Sequence, residues 1–171
     1  MTDGNSDRAG GVRTAVVIIA STRAANGVYP DRTGPVIQEW LTARGFEVHG
    51  PLVRADGPDV GIALRDGIGA DLLITSGGTG ISPTDRTPQA TAQILDYEIP
   101  GLAAAIRAEG SDKVPTAVLS RGLAGVSGHT LVINLPGSTG GVRDGLSVLA
   151  RVLDHALDQL RGGDHLTGGG S

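Results

Sequence analysis

The chain has 171 residues, a formal net charge of −4 and 39% hydrophobic residues, enough for one sizeable core in a single domain. It has no cysteine, which excludes disulfides, thiolate metal sites and a cysteine nucleophile, and its one lysine, Lys113, lies in no Gly-Lys-Ser/Thr, which excludes a Walker-type phosphate loop. Mild acidity and aromatics limited to Tyr29, Trp40, Phe46 and Tyr97 argue against a nucleic-acid surface, and no apolar run approaches the roughly 18–20 residues of a membrane span.

The opening stretch, MTDGNSDRAGG, is polar and lacks the charged-then-apolar form of an export leader, so a cytoplasmic location is expected. Residues 1–12 and 162–171 read as disordered tails around a domain over 13–161. Thr14–Ala20 (TAVVIIA) is a continuous, largely β-branched run, the pattern of a strand buried on both faces. Val36, Ile37, Trp40 and Leu41 recur at helical spacing, with Gly45 as the stop. Phe46–Val53 alternates as a second strand, and Pro58 opens a helix carrying Val60, Ile62, Ala63, Leu64 and Ile68. Asp71–Thr75 (DLLIT) is a third strand that runs straight into a glycine cluster. Thr87-Pro88 starts another helix, since threonine caps and proline is tolerated in the first turn. A short helix follows Pro100. Ala117–Leu119 and Thr130–Leu135 read as strands, joined by a turn-rich segment over Arg121–His129. Val142, Leu146, Leu149, Leu153, Leu157 and Leu160 mark one final helix by steps of three or four. Strands alternating with helices imply a three-layer α/β/α sandwich around a mostly parallel sheet.

In such sheets ligands gather beyond the carboxyl ends of the strands. The loop after the third strand, Thr75–Pro88, reads TSGGTGISPTDRTP. Gly77, Gly78 and Gly80 permit positive φ and close approach of a ligand, and successive N–H groups of that kind form an anion nest suited to phosphate. Ser76, Thr79 and Ser82 add hydroxyl donors. For GGTG alone, a tight strand-to-helix turn without a ligand is the alternative. Asp85 shifts the balance, because a carboxylate beside a phosphate nest needs a cation between them, giving a Mg²⁺–phosphate site. Asp56, in VRADGPD, ends at the same sheet edge and can share that cation; alternatively Asp56 or Asp59 caps the Pro58 helix. After the last strand, Asn134–Gly141 (NLPGSTGG) brings Gly137 and Ser138 to a helix N-terminus, as an anion site or as an ordinary cap. Ser120-Arg121-Gly122 presents a cation able to fork onto phosphate, a surface arginine being the alternative. His49, His129, His155 and His165 show no metal spacing. Neither a G-x-S-x-G elbow in its strand–helix setting nor a strand-linked G-x-G-x-x-G occurs, which disfavours a serine hydrolase and a dinucleotide oxidoreductase.

TSGGTGISPTDRTPQAT, IPGLAAAIRAEG, TAVLSRGLAGVSG and LVINLPGS, in this order and spacing, resemble the MogA/MoaB family of molybdenum-cofactor biosynthesis proteins. The likeness runs from Arg13 to Leu160. It implies a mostly parallel five-strand sheet with one antiparallel edge strand, assembled as a homotrimer. It also implies molybdopterin binding and, in active members, transfer of AMP from MgATP to the molybdopterin phosphate with release of pyrophosphate. A non-catalytic MoaB-type protein that binds molybdopterin or its precursor is the alternative. Molybdopterin and ATP are then the small-molecule partners, Mg²⁺ the cofactor, and a downstream molybdate-insertion protein a further candidate partner. By position, Asp85 and Asp56 match the family's essential aspartates, in catalytic and metal-binding roles. Gly77, Gly78, Thr79 and Gly80 match the nucleotide-phosphate loop, with Ser76 and Ser82 beside it. Ser120 and Arg121, and Pro136, Gly137 and Ser138, match the segments near the pterin. Three segments depart from the pattern: Thr84 replaces a frequent arginine, Thr139-Gly140 replaces Pro-Lys, and Arg54-Ala55 replaces Val-Pro before the aspartate. Arg54, Arg86 and Arg143 are candidates to replace the missing charge.

Overall fold

The computed structural model describes residues 11–162, so the expected tails lie outside the described residues except at 11, 12 and 162. The first apolar run becomes β1 (Thr14–Ala20), buried along nearly its whole length. It is followed by a single-turn α1 (Thr22–Ala25), then α2 (Thr33–Ala43), β2 (Glu47–Arg54), α3 (Pro58–Gly67), β3 (Leu72–Ser76) and α4 (Thr87–Ile94). The second half holds β4 (Tyr97–Glu98), α5 (Pro100–Ser111), β5 (Ala124–Ser127), β6 (Thr130–Leu135), α6 (Thr139–Ala150) and α7 (Leu153–Leu160). The strands form one six-stranded sheet in the order β2-β1-β3-β6-β5-β4. β2, β1, β3 and β6 run parallel, and β5 is antiparallel to both of its neighbours.

Successive strand residues face opposite ways, so the apolar strands serve two cores at once. Val17, Ile19, Ile74 and Ile133 pack with Ile37 and Leu41 of α2, Ile106 of α5, Leu149 of α6 and Leu157 of α7. Val16, Ile18, Leu73 and Val132 pack on the other face with Val60 and Leu64 of α3 and Ala90 and Ile94 of α4. This division decides where a ligand can lie. The chain leaves β1 toward α2 on the first face and leaves its neighbour β3 toward α4 on the second. Adjacent parallel strands whose connections part in this way leave a crevice between their carboxyl ends.

Some expectations change. Ala117–Leu119 is not a strand but part of a 3₁₀ turn, Pro115–Leu119, opened by its proline and leaving Val118 and Leu119 exposed. The extra strand lies inside the expected turn region: β5 pairs with β6 across Gly128–His129, where Gly128 takes φ +59. With the two-residue, exposed β4 the sheet has six strands instead of five. The helix after Pro100 is not short; it has twelve residues. The final apolar stripe is shared by two helices. Between them the N–H groups of Arg151 and Val152 bond only three residues back, to Val148 and Leu149, while Leu149, Leu153 and Leu157 stay in one core. Among the described residues, no helix is long and apolar enough to cross a membrane.

Candidate functional site

A cleft of about 460 Å³ lies in the crevice between β1 and β3. Ala20 and Ser21 line it from the end of β1, Ser76, Gly77 and Gly78 from the end of β3, and Gly137 from the loop after β6. The glycines are required here. Gly77 and Gly78 take φ +93 and +66, and Gly77 packs so closely on the Ala20 carbonyl that a side chain would collide with it. Gly80 keeps an ordinary φ. The Gly77 N–H donates to the Leu135 carbonyl at 3.1 Å, so the anion nest starts one residue later than the sequence suggests. Among the described residues, the N–H groups of Gly78, Thr79 and Gly80 have no protein acceptor.

The hydroxyls of this loop are less available than its backbone. Ser76 is fully buried, with its Oγ 2.8 Å from the Pro136 carbonyl and 3.0 Å from Thr33 Oγ1. It braces the ends of β3 and β6 against the start of α2. Thr79 is buried, and its carbonyl accepts the Arg121 N–H at 2.8 Å. Ser82 is exposed, with its Oγ 3.2 Å from Thr84 Oγ1.

Two carboxylates converge on the loop, as their shared sheet edge predicted. Asp85 turns back on it, accepting the Ser82 N–H at 3.2 Å and lying against Gly80. Asp56 follows β2 and is held from both sides. Its N–H donates to Thr22 Oγ1 at 3.1 Å, and its Oδ1 accepts the Arg86 N–H at 3.4 Å. Its carboxylate sits beside Gly78, on the side where a Cβ would point. Burial pushes the Asp56 carboxyl above its ordinary range and the negative charge of Asp85 pushes the same way, partly offset by backbone N–H donors at Arg86 and Gly57. A cation between the two carboxylates would offset the negative charge that Asp85 places on Asp56. The nearby donors are oxygens, which suits a hard ion such as Mg²⁺. Among the described residues no group of three or more His, Cys, Asp or Glu could hold a metal, so ligand oxygens and water must complete any such site.

Arg121 does not reach outward as a phosphate fork. Its Nε donates to the Gly80 carbonyl and its Nη2 to the Asp85 carbonyl, each at 2.8 Å. The guanidinium thus clamps the loop that carries Asp85. Ser120 shapes Arg121's own segment, its Oγ accepting the Gly122 N–H at 3.3 Å. Ser138 is the cap of α6, accepting the Gly141 N–H at 3.1 Å, which is the plainer of the two expected roles. Of Pro136, Gly137 and Ser138, only Gly137 lines the cleft. Arg143 lines a separate groove between α2 and α6 with Glu39 and Trp40, and Arg54 bonds the Val53 carbonyl at 3.0 Å.

Sequence reasoning missed the third wall. Tyr29, Asp31, Arg32 and Thr33 line the cleft from the connection after β1. Asp31 Oδ1 accepts the N–H groups of Thr33 at 3.1 Å and Gly34 at 2.9 Å, fixing the start of α2, and the Arg23 guanidinium lies 5.7 Å from the centre of the Tyr29 ring. These residues belong to the twelve-residue connection between β1 and α2, whose only regular element is the single-turn α1.

Residues 16–155 match the family described as "Probable molybdopterin binding domain". A molybdopterin adenylyltransferase of Helicobacter pylori (strain J99) is 37% identical over 153 residues, covering 85% of this chain and 86% of that protein. A molybdenum cofactor biosynthesis bifunctional protein of Synechococcus elongatus is 38% identical over 156 residues and 90% of this chain, which spans only 49%, about half, of that longer protein. The solved structure of a molybdopterin biosynthesis Mog protein from Mycobacterium ulcerans is 60% identical, with a TM-score of 0.85 over 89% of this chain and 99% of that one. Matched in fold, loop order and sequence over most of its length, the chain is a member of the MogA/MoaB family of molybdenum-cofactor biosynthesis proteins.

Proposed function

We propose that the domain over 13–161 is a molybdopterin adenylyltransferase, transferring AMP from ATP to the molybdopterin phosphate. One observation carries this reading: the Asp56 and Asp85 carboxylates lie against a glycine loop with unpaired N–H groups, and Gly77 and Gly78 of that loop line the switch-point cleft, although neither aspartate lines it. The N–H groups of Gly78, Thr79 and Gly80 hold phosphate oxygens of ATP. Asp56 and Asp85 would hold Mg²⁺, which when bound neutralises charge on those oxygens. Arg121 keeps the loop closed through the Gly80 and Asp85 carbonyls. An oxygen of the pterin phosphate attacks the α-phosphorus, the bond to the β-phosphate oxygen breaks, and pyrophosphate leaves. A phosphate monoester is already ionised at neutral pH, so the site needs positioning and charge more than a general base. Among the described residues, no histidine lines the cleft.

The decisive experiment supplies purified molybdopterin, ATP and Mg²⁺ and measures pyrophosphate release together with the adenylylated pterin. Release that depends on pterin supports the reading. Pterin binding with no turnover overturns it in favour of a binding protein. The proposal includes a cytoplasmic homotrimer that passes its product to a molybdate-insertion protein; a monomer mass by light scattering at micromolar concentration would overturn the trimer.

A further inference from the structure

Thr87 is fully buried, yet its Oγ1 has no hydrogen-bond partner among the described residues. Both of its backbone groups are engaged. The N–H donates to the Gly78 carbonyl at 3.2 Å, and the carbonyl accepts the Thr91 hydroxyl at 2.8 Å. Thr91 in turn accepts from the Asn134 amide at 3.0 Å, and the same amide donates to Thr75 at 2.9 Å. A polar network therefore runs beneath the loop from β3 and β6 into α4 and ends at the Thr87 carbonyl, with the hydroxyl of the same residue left outside it. Unpaired buried hydroxyls are costly, and native interiors keep few of them. The surroundings of this one point to its partner. A Cβ on Gly78 would collide with Thr87 Oγ1 and would stand 2.9 and 3.1 Å from the two Asp56 carboxylate oxygens. The hydroxyl and the carboxylate thus crowd the same side of one glycine, with no side chain to separate them.

We propose that Thr87 is a positioning residue, whose hydroxyl donates to the Asp56 carboxylate and orients it when the Asp56–Asp85 pair takes a divalent cation. This rests on reading that pair as the cation site. Asp56 would hold the cation through its carboxylate, which also has lone pairs to accept a hydrogen bond from the Thr87 hydroxyl. The network behind Thr87 then becomes the support of the cation site, tying it to β3, β6 and α4.

The test is titration of the full chain with Mn²⁺, followed by water-proton relaxation without nucleotide, for wild type, Thr87→Val, Thr87→Ser and Asp85→Asn. Thr87→Val keeps the shape and removes the hydroxyl; loss of a partner behind a metal-ligating group weakens affinity roughly ten- to a hundredfold, and that loss is expected here. Thr87→Ser restores the donor and should bind close to wild type. Thr87→Val should melt no lower than wild type, since it removes an unpaired group. Wild-type Mn²⁺ affinity in Thr87→Val, or an equal loss in Thr87→Ser, overturns the proposal. No Mn²⁺ binding by the wild type, or binding that Asp85→Asn leaves unchanged, overturns the cation-site reading and this proposal with it. A Thr87→Val loss in a protein that releases no pyrophosphate supports the proposal and overturns only the transfer reaction.

Discussion

The loops after β3 and β6 are close relatives in composition, GGTG against PGSTGG, and each leads from a parallel strand into a helix. The fold treats them differently. After β3, two glycines take positive φ, Arg121 holds two loop carbonyls and two carboxylates close in. After β6, no glycine takes positive φ, and Ser138 caps the following helix from the Gly141 N–H. Glycine content marks where a backbone can be approached. Groups brought from elsewhere in the chain decide whether the approach leads to a prepared site.

The largest expected effect tests the prepared side of this contrast. Asp85→Asn should lower AMP transfer at saturating Mg²⁺ by on the order of a hundredfold or more, the scale of losing one placed electrostatic group. Its thermal melt should stay near wild type, because the carboxylate is partly exposed and bonds only one loop N–H. A normal rate of pyrophosphate release in this variant would remove Asp85 from the site.

Arg121→Ala should rank next. A hydrogen bond from a charged donor is worth about 1.5–3 kcal/mol, roughly ten- to a hundredfold, so freeing both the Gly80 and Asp85 carbonyls should cost at least roughly tenfold in kcat/KM for ATP. Arg121→Lys should recover little, since an ammonium lacks the rigid fork that spans both carbonyls. Kinetics that instead show a loss confined to pterin affinity would return Arg121 to the direct phosphate contact expected from sequence.

A matched pair sets the two loops against each other. Gly78→Ala forces a Cβ onto Thr87 and Asp56 at φ +66, and calorimetry should show ATP binding weakened more than pterin binding. Gly140→Ala meets nothing within 4 Å at the start of α6. It should raise stability by roughly 0.5–1 kcal/mol, the usual gain of alanine over glycine in a helix, and leave both affinities alone. Equal losses for both ligands in Gly78→Ala would assign the β3 loop to the wrong ligand.

The smallest effect is a pH dependence. The Asp56 carboxyl is raised, chiefly by burial and then by Asp85, so the folded chain holds this proton to higher pH than the unfolded chain. Stability then falls as pH rises from the ordinary carboxylate value of 3.8 through the raised one, and the cost is fully present above it. Asp56→Asn should therefore melt slightly higher than wild type at neutral pH, with the gain disappearing under acid conditions, while transfer is lost. Melting curves across pH check the sign; a lower melting temperature at neutral pH contradicts it.

What the sequence determined by itself is whatever rests on local pattern. The long apolar runs of β1, β3 and β6 identify themselves, because a strand buried on both faces needs little from its neighbours to be recognised. The glycine loop and the two aspartates were legible for the same reason, since backbone freedom and carboxylate charge belong to the residues themselves. Short or exposed elements such as β4 and β5 were not, because their pairing depends on partners rather than on periodicity. Tertiary structure alone decided which acceptor each donor meets. Arg121 could have faced a phosphate or a carbonyl, Ser76 a ligand or the Pro136 oxygen, and Thr87 reads as an ordinary helix start until the fold buries its hydroxyl beside Gly78 and Asp56. Local sequence specifies the donor and its reach. The acceptor comes from residues tens of positions away, and only closure of the sheet puts the two within hydrogen-bonding distance.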